Sequence, residues 1–132
     1  MLKKQFDPGP FNSFKRMIKN VPIGSMIQRS LDTGKFKLDF ILNFFYKHVG
    51  IYIGDGQVIH FYKEVKEVTL CEFAQSKKIH LRQIPKNIIH GKAVCEEAKK
   101  ICYNPNNEYN NNYSFFFKNC EDFAVSCYEI EY

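Results

Sequence analysis

The sequence predicts a single domain that combines a small set of β-strands with helices. Three observations indicate this: a β-rich hairpin around Gly54-Asp55-Gly56, two further β-rich runs after it, and two stretches with helical spacing near the C-terminal end. The chain of 132 residues is long enough to bury one core but too short for two. We therefore treat residues 1–20 as a polar N-terminal lead-in and residues 21–132 as one domain.

The composition is ordinary for a globular protein. Hydrophobic residues make up 45% of the chain and charged residues 25%, and 13 Phe with no Trp predict a Phe-rich core. The net charge of +5 is spread along the chain, so we expect no nucleic acid partner. The longest apolar stretch, Phe36 to Tyr46, is broken by charged residues and is shorter than the ~20 residues of a membrane-spanning helix.

Cysteine usage indicates a reducing compartment. The chain has five cysteines, an odd number, without the regular spacing of a small disulfide framework. The N-terminus carries charge but lacks the apolar segment of a secretory signal. We therefore expect a soluble, cytoplasmic protein with reduced thiols.

The N-terminal part of the chain gives weaker signals than the hairpin. Phe14 to Ile18 suggests one helical turn, and Val21 to Arg29 is predicted as a turn that leads into a short strand. Leu31 to Lys47 mixes the helical and the strand period. We expect this segment to pack on the core as a helix or a buried strand, and a surface in transient contact with a membrane is the alternative.

The register of the hairpin decides whether two histidines share one face of the sheet. With a two-residue loop, Ile51 would lie opposite His60, and His48 and His60 would point to opposite faces. If the loop is Gly54–Gly56, Gly50 lies opposite His60, and the two histidines are diagonal neighbours on one face. Glycine suits the left-handed position of a three-residue loop, so we predict this second register.

Further elements follow the hairpin. Val65 to Phe73 and Ile79 to Ile84 are predicted as strands. Gly91 to Tyr103 is predicted as a helix, because its apolar residues fall on one face. No partner residues stand near His80 and His90 in this pattern, so we interpret both as surface or loop residues.

A last helix is predicted from Asn119 onward, and a cysteine begins it. Its apolar side chains recur with the spacing of one helical face, at Cys120, Phe123, Ala124, Cys127 and Tyr128. Asn119 is predicted as the N-cap. Cys120 then occupies the first helical position, where backbone N–H groups favour the thiolate form. An ordinary buried core cysteine fits the same spacing equally well.

Together, Cys120, His48 and His60 can form a thiol-nucleophile site. A thiol needs a base to take its proton, and the base needs a third group to hold its ring orientation. We assign Cys120 as nucleophile, His48 as base and His60 as the orienting partner. A metal site competes poorly, because the sequence has no CxxC and no His-x-x-x-His motif, and we expect no cofactor.

The same residues resemble a known family. The run from His48 to His60, followed later by Asn119 to Phe123, resembles the H-box and NC motif of the lecithin:retinol acyltransferase-like family. This family is a circularly permuted branch of the NlpC-type papain-like thiol enzymes. The segment Pro22 to Ile27 is similar to the family's Pro-Gly-Asp-Leu strand. The matching segments together span about residues 21 to 128.

The resemblance implies an α+β fold, in which a small antiparallel sheet packs with helices in a circularly permuted papain-like arrangement. It implies that Cys120 forms an acyl-thioester with His48 and His60 in the roles given above. Tyr113 matches a tyrosine of the family pattern and would position or polarise the site, and Asn119 would support it. The implied substrates are lipid acyl groups, with phospholipase A-type hydrolysis or transfer to an amine or alcohol.

Two alternatives to the lipid enzyme stay open. One is a non-enzymatic module that binds a host protein, as some small RNA viruses encode, and the other is a papain-like amidase or peptidase. Asp122 stands where the family commonly has His, and Val49-Gly50 departs from the family pattern, so substrate choice is open. The segment Leu31 to Tyr46 is longer than the family's usual link.

Overall fold

The computed structural model describes residues 5–6, 20–29, 48–112 and 119–132. These residues form one antiparallel sheet of six strands in the order β1-β6-β2-β3-β4-β5, accompanied by three helices. The strands are β1 Gln5–Phe6, β2 Met26–Arg29, β3 His48–Gly54, β4 Gln57–Tyr62, β5 Glu64–Thr69 and β6 Ile79–Gln83. The helices are α1 Leu70–Ala74, α2 Ile88–Cys102 and α3 Cys120–Tyr128. The predicted α+β class with a small antiparallel sheet is confirmed.

Some predicted features lie outside the described residues. These are the helical turn at Phe14 to Ile18 and the segment Leu31 to Tyr46. The domain boundary at residue 21 stays a prediction, and the strand Gln5–Phe6 lies before it and pairs with β6. Within the described residues, none of the helices has the length and apolar content needed to cross a membrane.

The sheet separates two apolar clusters because side chains alternate between its faces along each strand. On one face, Val49, Ile51 and Ile59 pack against α2 and α3 through residues such as Val94 and Phe123. On the other face, Tyr52 and Val58 pack with α1 and its Phe73, among other residues. We call these the α3 face and the α1 face.

The β3–β4 hairpin closes through a two-residue turn, so the predicted three-residue loop is wrong. Gly54 pairs with Gln57, which leaves Asp55 and Gly56 as the turn. Their φ angles are 53° and 74°, and positive φ at both central residues is the requirement of a type I′ turn. The Asp-Gly dipeptide suits this turn better than the longer loop.

The predicted register is nevertheless confirmed. The pairing shifts between Tyr52 and Gly54, so β3 carries one extra residue, a β-bulge. Gly50 therefore lies opposite His60, and Tyr52 opposite Val58. The bulge supplies the residue that the loop was expected to supply, and His48 and His60 share the α1 face.

The predicted strand Val65 to Phe73 ends early, at Thr69. The Thr69 hydroxyl accepts a hydrogen bond from the Glu72 N–H at 3.1 Å, and the Glu72 carboxylate accepts from the Thr69 N–H at 3.1 Å. This reciprocal capping box starts α1 and overrides the β-branched pattern before it. The change turns Phe73 inward against the sheet, where it is fully buried.

The prediction that His80 and His90 are surface or loop residues is wrong. His80 is a half-buried residue of β6. Helix α2 begins at Ile88, earlier than predicted, because the Asn87 side chain caps it by accepting from the His90 N–H at 2.8 Å. His90 is only 2% exposed. Its Nδ1 accepts from the Lys86 N–H at 2.9 Å, so its polar atoms are used in local structure.

Candidate active site

The two histidines of the hairpin contact each other directly. His48 Nε2 and His60 Nδ1 are hydrogen-bonded, and the ring centroids lie 4.7 Å apart with the ring planes at 90°. This contact follows from the register, because diagonal neighbours on one face of an antiparallel pair are within reach of each other. The structure therefore brings together two of the three residues predicted to form the site.

Phe73 of α1 packs against both rings. Its ring stacks on His48 at 5.4 Å between centroids and meets His60 edge-on at 5.7 Å. It also lies over Gly50, where a Cβ atom would come within 2.9 Å of Phe73 Cε1 and 2.7 Å of Val58 Cγ1. Glycine at position 50 is therefore needed for Phe73 to hold the two imidazoles in place.

Burial keeps both imidazoles neutral at pH 7. His48 is 7% exposed, and this burial, with smaller effects of His60 and Arg29, lowers its pKa from 6.5 to about 3. Burial also lowers the pKa of His60, to about 4, and the nearby cations Arg29 and Lys66 add to the effect. A neutral imidazole has one nitrogen that can accept a proton, so either ring can serve as a base.

The contact between the rings links their tautomers. When His48 Nε2–H donates to His60 Nδ1, His48 Nδ1 carries no hydrogen and can accept a proton. The positive charge that His48 then acquires is stabilised by the lone pair of His60 Nδ1. The pair is thus suited to one base and one orienting partner.

Cys120 is the first residue of α3, and Asn119 is confirmed as its N-cap. The Asn119 side-chain oxygen accepts from the N–H groups of Glu121 at 3.0 Å and Asp122 at 3.1 Å. The Asp122 carboxylate in turn accepts from the Asn119 N–H at 3.1 Å. Asp122, a departure from the family pattern, thus completes a capping box that fixes the start of the helix.

The Cys120 thiol is buried and is surrounded by backbone N–H groups. The side chain is 4% exposed, and this burial raises the pKa of the thiol. Hydrogen bonding from the backbone of Val49, Glu121 and Cys120 itself acts in the opposite direction and lowers that pKa. Because burial has the larger effect, the thiol is protonated at neutral pH and needs a base to become a nucleophile.

The position of the sulfur follows from the hydrogen bonding of β3. The backbone C=O of Tyr52 accepts from the Gly24 N–H at 2.7 Å, and its backbone N–H donates to the Ser25 C=O at 2.9 Å. Both backbone groups of Tyr52 therefore point toward β2. Since these directions alternate along a strand, the Val49 N–H points toward β4. The β3–β4 pairing ends at Gly50 and His60. The Cys120 sulfur therefore meets the Val49 N–H at the end of this ladder.

The three residues approach this end of the ladder from both faces of the sheet. His48 and His60 lie on the α1 face, with Phe73. Cys120 packs in the apolar cluster of the α3 face, with Val49 and Phe123. Val49 directly follows His48, so the thiol lies beside the backbone of the residue assigned as base. Tyr113, predicted to support the site, lies outside the described residues.

Polar contacts hold α3 against the sheet. Glu121, next to Cys120, forms an ion pair with Arg82 of β6, and Arg82 also donates to Gln28 at 2.9 Å. At the other end of α3, the Tyr128 hydroxyl accepts from the Met26 N–H at 3.1 Å and donates to the Gly24 oxygen at 2.5 Å. The helix that carries the thiol is thus fixed at both ends.

Sequence reasoning missed two residues of the site, Phe73 and Arg29. Arg29 pairs with His48 across the β2–β3 ladder, and its Nη1 donates to the Phe73 oxygen at 2.9 Å. The alternation of β2 was a usable signal, because Arg29 shares the α1 face with buried Ile27. Phe73 could be found only after Thr69 and Glu72 were recognised as a helix start.

The described residues offer no cluster of three or more His, Cys, Asp or Glu side chains that could hold a metal ion. All five cysteines are described, and all are free thiols.

A comparison with protein families gives a match over most of the chain. The model of the family described as lecithin retinol acyltransferase matches residues 35–129 of the chain, which is well over half of it. A search among curated proteins found no match. The matched segment contains the hairpin with both histidines and the helix that begins at Cys120.

Proposed function

Because the chain belongs to the lecithin retinol acyltransferase family, we propose that it is a thiol-dependent acyltransferase or phospholipase A-type hydrolase that acts on lipid acyl groups. The observation that carries this proposal is the contact between two neutral imidazoles, one buried and one half-buried, beside the backbone that the Cys120 thiol meets. A polar ring that is buried against a second polar ring is costly unless it is used, and such groups cluster at functional sites.

In the first step, His48 takes the proton of the Cys120 thiol, and the sulfur attacks the carbonyl carbon of an acyl ester. The His48 imidazolium is stabilised by its hydrogen bond to His60. The Cys120 N–H at the start of α3 binds the oxyanion of the tetrahedral intermediate, because the next two N–H groups, of Glu121 and Asp122, already donate to the Asn119 side chain. When the intermediate collapses, His48 returns the proton to the departing alcohol oxygen, and an acyl-thioester is left on Cys120.

The second step releases the acyl group. His48 removes a proton from water, an amine or an alcohol, and this acceptor attacks the thioester carbonyl. Collapse of the second intermediate expels the Cys120 thiolate, which regains its proton from His48. With water the product is a fatty acid, and with an amine or alcohol it is an acylated acceptor. A lipid substrate fits a cytoplasmic protein in transient contact with a membrane.

The acyl-thioester can be trapped and weighed. After brief incubation with a short-chain phospholipid and an acid quench, we expect the mass of one acyl group on the peptide that contains Cys120. Cys120→Ala should show no adduct, and His48→Gln should form it at least about a hundredfold more slowly, within the usual range of general-base catalysis. Cys71→Ala is the matched control, because Cys71 is an exposed free thiol. An adduct on other cysteines alone, or undiminished in His48→Gln, would overturn the proposal.

A second candidate function is a non-enzymatic binding module, and one observation favours it. Cys120 is nearly inaccessible, packs among apolar side chains and has a raised pKa, all of which are properties of an ordinary core cysteine. In that case no acyl adduct forms with any lipid, and Cys120→Ala changes only the free energy of unfolding. The trapping experiment therefore separates the two candidates.

A further inference from the structure

Arg29 places a cation within the candidate site. It is the last residue of β2, lies opposite His48 in the β2–β3 ladder and shares the α1 face with both histidines. Its guanidinium carbon lies 5.9 Å from the centre of the Phe73 ring, and its Nη1 donates to the Phe73 oxygen at 2.9 Å. These contacts hold the guanidinium near the imidazole pair.

One donor of this guanidinium has no partner. Arg29 Nε is buried and, among the residues that the structure describes, makes no hydrogen bond. Buried donors are nearly always satisfied, and a charged donor left unpaired is especially unfavourable. An orphaned Nε–H is therefore a position where a hydrogen-bond acceptor is expected.

Among the described groups, the Cys120 thiol is the one whose anion acts on the charge of Arg29, and this thiol is protonated at neutral pH. Glu72 acts on the neighbouring His60, but its carboxylate caps the start of α1 at the surface. Glu121 is paired with Arg82. Burial lowers the pKa of Arg29, which means that the loss of water works against its charged form. A bound anion would restore the solvation that the charge has lost.

We propose that Arg29 binds the phosphodiester of a phospholipid acyl donor through the guanidinium edge that carries Nε. This edge presents two parallel N–H groups, the arrangement that matches two phosphate oxygens. Arg29 then positions the donor beside His48 and makes the site prefer charged lipids over neutral ones. The inference rests on the proposed function, because it assumes a lipid acyl donor.

The Cys120 thiolate is the competing anion. Its negative charge would raise the pKa of Arg29, but burial has the larger effect on that pKa, and the thiol is protonated in the resting protein. The two possibilities differ in what loss of Arg29 does. A thiolate-stabilising residue affects every acyl donor equally, whereas a phosphate-binding residue affects only donors that carry phosphate.

Steady-state kinetics with two matched donors separate these possibilities. The donors are dihexanoylphosphatidylglycerol and dihexanoylglycerol, which have the same acyl chains and differ in the phosphate. In Arg29→Met we expect the KM for the phospholipid to rise about tenfold or more, the usual effect of losing a charged hydrogen bond. The KM for dihexanoylglycerol should stay within about twofold. Equal changes with both donors, or no change with either, would overturn the inference.

A control variant and a binding measurement complete the test. Lys66→Met removes a cation that faces His60 across the β4–β5 ladder but has an exposed side chain, and it should leave both KM values unchanged. Equilibrium titration of Cys120→Ala with the same two lipids measures binding without turnover, and added Arg29→Met should weaken phospholipid binding alone.

The binding measurement also distinguishes a failure of the inference from a failure of the proposed function. If phospholipid binding depends on Arg29 but the protein releases no acyl groups, the inferred anion site is supported and the proposed enzymatic function is wrong. If the protein releases acyl groups but binds phospholipid independently of Arg29, the proposed enzymatic function is supported and the inferred anion site is wrong. If Arg29→Met does not fold, Arg29→Lys keeps the charge but loses the two-pronged geometry, and should still weaken phospholipid binding.

Discussion

His48 and His60 meet ring to ring because Gly50, two residues after His48, lies opposite His60 across the hairpin. The two-residue turn and the bulge beside it set this register. Burial then lowers the pKa of both rings and keeps them neutral at pH 7. The following predictions test this relationship and the elements that support it.

The histidine pair should make stability depend on pH. Both folded-state pKa values, about 3 and about 4, lie below the ordinary 6.5, so the unfolded chain binds more protons below pH 6.5. The free energy of unfolding is therefore not reduced by histidine protonation above pH 6.5, and it decreases as the pH falls from 6.5 to the folded-state pKa values of about 4 and about 3. Each histidine contributes a slope of up to about 1.4 kcal/mol per pH unit. Urea unfolding at several pH values from 7.5 to 4.5 measures it.

The variant His60→Gln isolates this contribution from that of the carboxylates. Its free energy of unfolding should decrease less steeply between pH 6.5 and 5 than that of the unmodified protein. If the free energy of unfolding fell equally steeply with pH in the two proteins, His60 would bind protons equally well in the folded and the unfolded state, and the prediction would be wrong.

Gly50→Ala should destabilise the fold by about 1–3 kcal/mol, the usual cost of an overpacked core. The added Cβ would lie 2.7 Å from Val58 Cγ1 and 2.9 Å from Phe73 Cε1, closer than side-chain atoms normally approach. Thermal unfolding measures the loss. The double variant Gly50→Ala with Phe73→Leu should lose less than the sum of the single variants, because the smaller side chain relieves one clash. Additive losses would contradict the packing described.

Asn119→Ala should lower the free energy of unfolding by about 1 kcal/mol, because two N–H groups at the start of α3 lose their acceptor. Asn119→Asp, which keeps an acceptor oxygen, should be much closer to the unmodified protein. Chemical denaturation of the three proteins tests the order. If alanine and aspartate were equally destabilising, the capping interaction would not be the cause.

Cys120 should react slowly with iodoacetamide at neutral pH, and its rate should increase with pH beyond 8.5, because burial raises the pKa of its thiol. Cys71, which is exposed, should be modified first at pH 7. Peptide mass spectrometry after timed quenching gives the rate at each cysteine. Selective modification of Cys120 at pH 7 would instead indicate a thiolate stabilised in the resting protein.

Several features of the fold could be predicted from local sequence. The hairpin, the strand before it and the helix that begins at Cys120 all follow from short-range patterns, and so does Asn119 as N-cap. Thr69 and Glu72 also carried a local helix signal, a capping box, although the β-rich run before it favoured a strand. The register was predicted through the wrong loop, because turn and bulge together give the same pairing as a longer turn.

Other features depend on contacts between residues far apart in the chain. His90, for example, stacks against Tyr132, 42 positions later, at 4.5 Å between ring centroids. Phe73 reaches His48 only because α1 folds back over the sheet, and the Cys120 sulfur meets Val49 only because α3 packs on β3. No local pattern encodes such distances.

The sequence by itself determined the pieces of the candidate site: two histidines on one face of a hairpin and a cysteine at the start of a capped helix. These depend on strand alternation and helix capping, which act over a few residues. Only the tertiary structure decided that the cysteine approaches from the opposite face, that Phe73 holds the imidazoles, and that the half-buried Arg29 lies beside them with a buried Nε that has no partner among the described residues. These depend on how the sheet and helices pack, because burial and its effects on pKa arise from the whole fold.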